Sequence, residues 1–363
     1  METQETKNQT PPAPTPETQP TPKKTRGRKI ALIVLAVIAA LVLIVAIFGA
    51  SLFSRLRQNI IPIVKSPDRE SVANLATPSM EMFTEALRTD IDYYETGEIV
   101  EVPIYAQDKI DKYTVSMAVV VQQGKIDEEP RQTDMIFLVS YNQLQQKLSI
   151  VALPRDMLLP THDYGWKRVG AIYATGGIGL LINTVNDCFE LGIQNYVYTG
   201  TKELAELADI IEGVPATLTE AEAAYINKQT GSSVSAGSNR LGGSQAICYL
   251  TDRISDGKGD IGRAEKQLAV INDTFWYLTD NFDREYLFPL FTVIFKCIRT
   301  NLDFQTISDL AYEIAVANEL SVVTVRLPFE DAYGEIALDG AYAILPEIEK
   351  NKILLQQVLF GKE

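Results

Sequence analysis

The sequence predicts an α/β protein of the mixed α+β kind, in which a central mixed β-sheet is flanked by helices and preceded by one transmembrane helix. An uninterrupted apolar run lies near the start of the chain. After residue 112, short β-branched segments of strand length are interspersed with longer segments whose apolar residues recur at helical spacing. Because strands and helices mix along the whole length and no internal repeat is visible, we predict one mixed sheet with helices packed on it.

The N-terminal region divides into a polar tail and an apolar helix. Residues 1–29 are rich in Pro, Thr, Gln and Glu and hold almost no large apolar side chain, so we predict a disordered tail. Residues Ile30–Phe48 carry no charge and no Pro. At a rise of about 1.5 Å per residue, this run is close to the length that spans a bilayer core. Because a helix satisfies its own backbone groups there, we predict a transmembrane helix over residues 30–53.

The flanks of this helix predict its orientation. Five basic residues lie between Lys23 and Lys29, whereas only Arg55 and Arg57 follow the run closely. The denser basic cluster stays in the cytoplasm. We therefore expect a single-pass protein of the cell membrane, with a cytoplasmic N-terminus and an extracellular main domain. A cleaved signal peptide would have a shorter apolar core and a small-residue cleavage site, and a buried soluble helix would show a polar stripe.

The composition excludes several classes of function. The chain holds 33 Lys and Arg and 47 Asp and Glu, of which residues 1–29 contribute six and three, so the remainder has a net charge of −17. Nucleic-acid binding needs a basic face, so we expect no nucleic-acid partner. One histidine, His162, leaves little material for Ser-His-Asp or Cys-His catalysis and excludes zinc sites built on several histidines.

Three cysteines are present, and all lie in apolar surroundings without a CxxC pair. They are Cys188, Cys248 and Cys297. An odd and sparse count argues against a disulfide framework, so we predict buried, inert thiols.

Five segments are predicted as strands, because β-branched and apolar residues dominate each of them. They are, in chain order, Tyr113–Val121, Asp134–Ser140, Lys147–Leu153, Asn195–Thr199 and Ser321–Leu327. A short polar turn separates the second from the third, which is typical of a hairpin.

Six segments are predicted as helices from the spacing of their apolar residues. They are, in chain order, a stretch near Ser71–Arg88, then Gly177–Leu191, Thr201–Glu212, Thr219–Gln229, Gly259–Leu278 and Leu345–Phe360. Thr201 is predicted as an N-cap. Thr219 precedes Glu222 by three residues, which is the spacing of a capping box. Residues 231–243 are rich in Gly and Ser and are predicted to form a loop.

Two segments carry charges that a purely structural role explains poorly. Arg155 and Asp156 follow directly on an apolar strand, and loops at strand ends are where α/β sheets usually keep ligand groups. The alternative for this pair is a surface ion pair in a turn.

The second segment, residues 252–267, is a glycine-punctuated loop that enters a helix. It interleaves four basic residues with three aspartates, which are Arg253, Lys258, Arg263, Lys266, Asp252, Asp256 and Asp260. Arg263 and Gln267 are four residues apart and share one helix face. Backbone amides at a helix start, with Arg side chains beside them, would make a phosphate-binding site. The alternative is a solvated loop held by local salt bridges.

These segments together resemble the LytR-CpsA-Psr family of cell-wall glycopolymer transferases. TDMIFLVSYNQLQQKLSIVALPRDM (133–157) is similar to the family's TDT…SIPRD block, and RVGAIYATGG (168–177) is similar to its KINAAYAxGG block. GGSQAICYLTDRISDGKGDIGRAEKQ (242–267) is similar to its GEQALxYxRxR…GDxxRxxRQ block. The three blocks agree in order, the single N-terminal membrane helix agrees as well, and the resemblance covers about residues 113–275.

The resemblance implies a reaction and its partners. Family members transfer a glycopolymer, such as teichoic acid or a polysaccharide, from an undecaprenyl pyrophosphate carrier to peptidoglycan, and the new link is a phosphodiester. The implied partners are the polyprenyl pyrophosphate-linked glycopolymer, peptidoglycan and the membrane, and the implied cofactor is Mg²⁺. Phosphoryl transfer needs positioning and charge neutralisation more than a covalent nucleophile. We assign residues 54–112 to a stalk or accessory region and residues 113–363 to an extracellular LytR-CpsA-Psr-like catalytic domain.

The resemblance also implies roles for single residues. Asp134 matches a metal-binding carboxylate. The implied catalytic residues are Arg155, Asp156, Arg253, Asp260, Arg263 and Gln267. The implied substrate-binding residues are Arg155, Arg168, Arg253, Arg263 and Lys266.

The chain departs from the family pattern at four places. The first strand ends in VVVQQG, so Gln122 or Gln123 stands where the family has a second metal-binding Asp. The paired arginines appear as Thr251-Asp252-Arg253, the last Arg of the third block is Lys266, and the Asn of the second block is Gly170. Two other functions therefore stay open. One is a catalytically inactive scaffold or regulator that binds lipid-linked polymer or wall, and the other is a lipid pyrophosphate hydrolase.

Overall fold

The computed structural model describes residues 60–67, 101–108, 111–126, 128, 132–281, 294, 296–317, 319–338 and 341–361. The predicted tail, the predicted transmembrane helix over residues 30–53 and most of the predicted stalk, including the helical stretch near Ser71–Arg88, lie outside these residues. Within them, one helix is long and apolar enough to cross a membrane, Val169–Phe189, and its most apolar stretch is fully buried inside the domain. That helix is therefore a core helix.

Among the described elements, seven strands precede the first helix, and strands and helices are mixed after it. The strands are β1 Ile63–Lys65, β2 Ile104–Ala106, β3 Thr114–Gln122, β4 Thr133–Asn142, β5 Lys147–Ala152, β6 Leu158–Thr161, β7 Gly165–Arg168, β8 Asn195–Gly200, β9 Val214–Leu218, β10 Gly237–Leu241, β11 Arg299–Thr300, β12 Ser321–Arg326, β13 Tyr333–Leu338 and β14 Ala341–Pro346. The helices are α1 Val169–Phe189, α2 Thr201–Ile210, α3 Glu220–Thr230, α4 Gly243–Thr251, α5 Gly259–Asn281, α6 Phe304–Val316 and α7 Ile348–Phe360.

Six strands form the central sheet, in the order β11-β8-β3-β4-β5-β12. The pairs β3–β4, β4–β5 and β8–β11 are antiparallel, whereas β3–β8 and β5–β12 are parallel. The sheet is mixed, as the sequence predicts. The described residues also form four two-stranded sheets, which are β1–β2, β6–β7, β9–β10 and β13–β14.

Helices cover both faces of the central sheet. One apolar core joins the sheet to α1 and α7, with Ile172, Leu181 and Leu355 among its fully buried members. The other joins the sheet to α3, α4 and α5, with Ile226 and Leu268 among its members. The predicted arrangement of a mixed sheet flanked by helices is therefore confirmed.

The predicted element bounds hold for the strands within about two residues, which is the usual uncertainty of such boundaries. The capping box at the start of α3 is confirmed, because Thr219 Oγ1 accepts from Glu222 N and the Glu222 carboxylate accepts from Thr219 N. The predicted N-cap at Thr201 is wrong. Gly200 is the N-cap of α2, and Thr201 Oγ1 instead accepts a hydrogen bond from Gly124 N at 3.0 Å.

Two further expectations need correction. Helix α1 begins eight residues before the predicted start at Gly177, and it passes through a kink at Gly176 and Gly177, whose backbone is not helical. The predicted loop over residues 231–243 contains the strand β10, which pairs with β9. Its polar sequence, GSNRL, lacks the apolar alternation that predicts a strand.

The cysteines are consistent with inert thiols. Cys188 and Cys297 are buried, Cys248 is half-buried, and all three are free. Burial raises the pKa of the Cys297 thiol to about 11, so this thiol is neutral and poorly nucleophilic at neutral pH.

Helix α1 holds the segment 101–106 through one amide and one close backbone contact. The Asn183 side chain accepts from Tyr105 N and donates to Pro103 O, both at 2.9 Å. Beside it, a Cβ atom on Gly179 would lie 1.8 Å from Val102 O. No side chain fits at this distance, so a glycine is required here for close backbone packing.

We predict that Gly179→Ala lowers the free energy of unfolding by at least about 2 kcal/mol, because the added methyl group overpacks a contact made of backbone atoms. Urea unfolding followed by circular dichroism measures this. Gly334→Ala is the control, because a Cβ atom there meets nothing within 4 Å. Equal stability of the two variants would contradict the prediction.

Candidate functional site

The candidate residues gather at one edge of the central sheet. Strands β3, β5, β8 and β12 run in one direction, so their carboxyl ends meet at the same edge as the start of the antiparallel strand β4. Asp134 lies at the start of β4, and Arg155 and Asp156 follow the end of β5. Ligands of α/β sheets are usually bound at this edge.

A β-bulge sets the position of Asp134. Val121 pairs with Met135 and Gln122 pairs with Thr133, which leaves Asp134 as the extra residue on β4. The Thr133 hydroxyl closes the bulge by donating to Val121 O at 2.6 Å. Bulges of this kind redirect a side chain, and here the residue in question is the predicted metal-binding carboxylate.

The start of α1 holds the turn that carries Arg155. Val169 N donates to Met157 O at 2.8 Å, and Gly170 N donates to Arg155 O at 3.0 Å. Arg168 is the N-cap residue of this helix, so the same contacts bring its side chain beside the turn.

Seven charged side chains form a connected group at this edge, which we call the arginine cluster. Its members are Asp134, Arg155, Asp156, Arg168, Arg253, Asp260 and Arg263. Asp134 Oδ1 accepts from Arg155 Nη1 at 2.5 Å and from Arg263 Nη1 at 2.9 Å. All seven belong to the residues that the resemblance singles out, and the fold brings them together from four segments.

Arg263 and Asp260 are the most deeply buried members of the cluster. Only 2% of the Arg263 side chain is exposed, and its Nη2 donates to Asp260 Oδ1. The other oxygen of Asp260 accepts from Asp156 N at 2.9 Å. Because both oxygens of Asp260 and two nitrogens of Arg263 are bonded within the protein, these two residues fix the positions of Asp134 and Asp156.

Three other arginines of the cluster are more accessible to solvent. The exposed fraction is 45% for the Arg253 side chain, 16% for Arg155 and 14% for Arg168. Asp156 Oδ2 accepts from Arg253 Nη1 at 3.3 Å, whereas Arg155 Nε and Arg168 Nη1 lie 3.8 and 3.7 Å from its other oxygen. A ligand can therefore reach Arg253 first.

The pKa values of Asp134 and Asp260 are shifted in opposite directions. Burial would raise the pKa of Asp134, but the charges of Arg263 and Arg155, with the hydrogen bonds from Arg155 and Gln123, outweigh burial and hold the pKa below its ordinary value. For Asp260, burial is the largest influence and raises the pKa. Arg263 opposes this rise and Asp156 adds to it.

Lys266 lies in a separate group, which we call the lysine cluster. Its Nζ lies 2.9 Å from Asp252 Oδ2, 3.6 Å from Asp256 and 3.8 Å from Glu222. Asp252 is almost fully buried and also accepts from Ile254 N at 2.8 Å. Lys266, which replaces the last Arg of the third block, is thus paired with Asp252, the charge between Thr251 and Arg253, so the structure does not place Lys266 among the arginines.

Gln267 lies beneath the bulge. Its side-chain Nε2 donates to Asp134 O at 3.1 Å and to Leu250 O at 2.9 Å. These are backbone contacts, and the residue is buried. Gln267 therefore fixes the position of Asp134 from below.

Sequence reasoning left open which glutamine replaces the second metal-binding Asp, and the structure separates the two. Gln122 is buried, donates to Lys125 O at 2.5 Å and accepts from the Tyr173 hydroxyl. Gln123 donates from Nε2 to Asp134 Oδ2 at 2.5 Å. Gln123 is therefore a site residue that sequence reasoning named only as one of two options.

The donors around Asp134 do not fit a Mg²⁺ ion held by two protein carboxylates. Two arginines and the Gln123 amide already bond its oxygens. Over the described residues, no group of three or more His, Cys, Asp or Glu side chains could hold a metal ion. Glu128 accepts from Lys125 N and pairs with Lys202, and Asp127 lies outside the described residues. Mg²⁺ stays a prediction, and we assign no step to it.

The C-terminal hairpin β13–β14 also contacts the site, which the sequence did not indicate. Ile344 N donates to Asp156 O at 2.9 Å. Tyr342, on the same strand, lies close enough to Asp260 for that carboxylate to help raise its pKa, after the larger effects of burial and Glu335. Short strands of ordinary composition carry no signal of such long-range contacts.

Comparison with known proteins agrees with the resemblance. The model of the LytR_cpsA_psr family matches residues 76–357. This match extends beyond residues 113–275, where the motif resemblance lies.

Two relatives and one solved structure show how similar this chain is to known proteins. The chain is 30% identical to biofilm regulatory protein A of Streptococcus mutans over 39% of this chain and 37% of that protein. It is 23% identical to the polyisoprenyl-teichoic acid–peptidoglycan teichoic acid transferase TagU of Enterococcus faecalis, over 79% of this chain and 84% of that protein. It therefore matches well under two thirds of the length of the first relative.

The solved structure is the LytR-CPS2A-psr family protein YwtF (TagT) of Bacillus subtilis with bound octaprenyl pyrophosphate lipid. The TM-score is 0.52 at 19% identity, over 69% of this chain and 93% of that chain. This likeness shows a shared fold. Since the family model covers most of the chain, from β2 to α7, the chain belongs to the LytR-CpsA-Psr family.

Proposed function

We propose that this chain is a phosphotransferase that moves a glycopolymer, a teichoic acid or a polysaccharide, from an undecaprenyl pyrophosphate carrier to peptidoglycan, with formation of a phosphodiester. The arginine cluster carries this proposal. Four guanidinium groups converge on three carboxylates at the ligand edge of the sheet, which leaves an excess of positive charge in a chain of net charge −14. Such a site suits an anionic pyrophosphate.

The comparisons support the same reaction class. The TagU relative is named as a teichoic acid transferase acting on peptidoglycan, and the TagT neighbour is described with a polyprenyl pyrophosphate lipid. A lipid carrier also gives a reason for membrane attachment. We therefore propose that residues 30–53 anchor the chain in the cell membrane and hold the domain on its outer face, beside carrier and peptidoglycan.

Three arginines are proposed to hold the pyrophosphate. Arg253, Arg155 and Arg168 are the partly accessible members of the cluster, and guanidinium groups bind phosphate oxygens by two-point contacts. Arg263 acts as a positioning residue, because its buried side chain already bridges Asp134 and Asp260. Gln267 and Lys266 are likewise positioning residues, held by backbone oxygens and by the lysine cluster.

Asp156 is proposed as the proton acceptor. In the reaction, an acceptor hydroxyl of peptidoglycan attacks the phosphorus that bears the glycopolymer, the bond from that phosphorus to the bridging oxygen breaks, and polyprenyl phosphate leaves. The hydroxyl proton goes to a carboxylate. Asp134 and Asp260 have both side-chain oxygens bonded within the protein. Among the described residues, the Asp156 carboxylate accepts one hydrogen bond, from the exposed Arg253. When Arg253 turns to the pyrophosphate, Asp156 gains a free oxygen.

The direct test is an assay of the purified chain in lipid nanodiscs. It is incubated with a polyprenyl pyrophosphate-linked sugar and peptidoglycan oligomers, and the phosphodiester product is detected by mass spectrometry. Product supports the transferase. Binding of the lipid without turnover would support the inactive scaffold or regulator, which the Gln123 amide beside Asp134 favours. Release of sugar phosphate without peptidoglycan would support the hydrolase.

We predict that Arg253→Ala lowers the rate of transfer by at least about 100-fold, because an exposed phosphate-binding charge is lost. The fold should be unaffected, since 45% of this side chain is exposed. Arg299→Ala is the matched control, because Arg299 lies on the edge strand β11 and donates to the backbone oxygens of Lys296 and Ile298. A variant Arg253→Ala with full activity would contradict the assignment.

We predict that Asp156→Asn lowers the turnover number by about 100-fold or more while the affinity for the carrier lipid changes little, because a general base is lost and no phosphate ligand is. Separate measurement of turnover and of lipid binding checks this. A loss confined to lipid binding would show that Asp156 serves to hold the arginines instead.

We predict that Asp134→Asn lowers the free energy of unfolding at pH 7 by about 3 kcal/mol, because it leaves the buried Arg263 with one partner fewer. The pKa of Asp134 lies below the ordinary value of 3.8. Its contribution is therefore complete above about pH 3.8 and is lost as the pH falls through the lower, folded-state pKa. Urea unfolding of both chains from pH 7 to pH 3 should show the difference narrowing below pH 4, and a constant difference would refute this account.

A further inference from the structure

We propose that Gln123 converts this site into one that binds pyrophosphate without a divalent metal ion held by the protein. This inference rests on the proposed function and specifies how its ligand is held. It starts from one contact, the bond of 2.5 Å between Gln123 Nε2 and Asp134 Oδ2.

The N–H group of the Gln123 amide presents positive partial charge to Asp134, as a bound cation would. An amide presents two N–H donors, whereas a carboxylate presents acceptors alone. A carboxylate at the position of the Gln123 amide would place two negative groups in contact, and they would repel each other unless a cation lay between them. With Gln123, the contact is a hydrogen bond and no cation is needed.

The other side of Asp134 is also occupied by positive groups. Arg155 and Arg263 both donate to Oδ1, at 2.5 and 2.9 Å. A Mg²⁺ ion bound to Asp134 would displace at least one of these three donors and would lie beside two guanidinium groups of the same sign. The described surroundings of Asp134 therefore oppose a metal ion by charge and by occupancy.

The charge balance of the cluster points the same way. Four arginines face three carboxylates, which leaves one excess positive charge for the ligand. An aspartate at position 123 would cancel that excess. Glu128, the described carboxylate in the loop after β3, is engaged by Lys125 N and by Lys202, so it does not add a fourth carboxylate to the cluster.

Metal dependence of ligand binding tests the proposal. The full chain in nanodiscs is titrated with farnesyl pyrophosphate, a short polyprenyl pyrophosphate, in excess EDTA and in excess Mg²⁺. For the natural chain we expect dissociation constants that agree within about threefold in the two conditions. For Gln123→Asp we expect affinity in EDTA to fall by about tenfold or more and to be restored by Mg²⁺, because the added charge must be neutralised.

A second readout does not depend on the ligand. Mn²⁺ binding to the chain alone, followed by electron paramagnetic resonance, should be absent at this site in the natural chain and present in Gln123→Asp. Gln229→Asp is the control, because it makes the same chemical change on the exposed face of α3, and it should behave as the natural chain does.

Three results would overturn the proposal. Binding to the natural chain that is at least tenfold tighter in Mg²⁺ than in EDTA contradicts it while leaving the proposed transferase intact. So does Mn²⁺ bound to the natural chain and lost in Asp127→Asn, since that would assign the second carboxylate to Asp127. Failure to bind farnesyl pyrophosphate in either condition contradicts the proposed function and this inference together.

Discussion

The arrangement of this site depends on the compensation of charges that are buried together. Asp134, Arg263 and Asp260 are each at least nine-tenths buried, and an unpaired charge at that depth would cost several kcal/mol. Their partners come from three parts of the chain: the bulge on β4, the turn after β5 and the start of α5. Asp260 and Arg263 pair within α5, but Asp134 has its arginine partners on the other two segments, and the second oxygen of Asp260 is bonded by the turn after β5. The three segments therefore fix one another's positions.

The sequence predicts the fold where local pattern decides it. The strands β3, β4 and β5 are β-branched and apolar because both faces of the sheet are covered, and the capping box of α3 is a local bond between residues three apart. Prediction fails where distant partners decide. Thr201 has the chemistry of an N-cap, but its hydroxyl is taken by Gly124 N, and β10 is a strand because β9 lies beside it. Neither partner is visible from local sequence.

The same contrast applies to the site. A motif identifies which residue types matter, and the fold decides which of them face a ligand. Arg263 and Arg253 belong to one motif, yet Arg263 is buried and bonded to carboxylates within the protein, whereas Arg253 is exposed. Compared with the family pattern alone, Asp252 adds a negative charge beside the site and Lys266 replaces an arginine. They are one ion pair in the structure, so neither charge weakens the arginine cluster. The bulge that makes Asp134 the extra residue on β4 has no sequence signal at all.

The bond from Ile344 N to Asp156 O has a consequence for the timing of folding. It joins residues separated by more than half of the chain, and contacts of this separation form late because a long loop must close first. The hairpin that makes this contact follows the turn in chain order, so it is synthesised long after the turn. The turn that bears Arg155 and Asp156 therefore remains unsupported on one side until the hairpin has been made and has packed against it, and a chain that stops before β14 lacks this support.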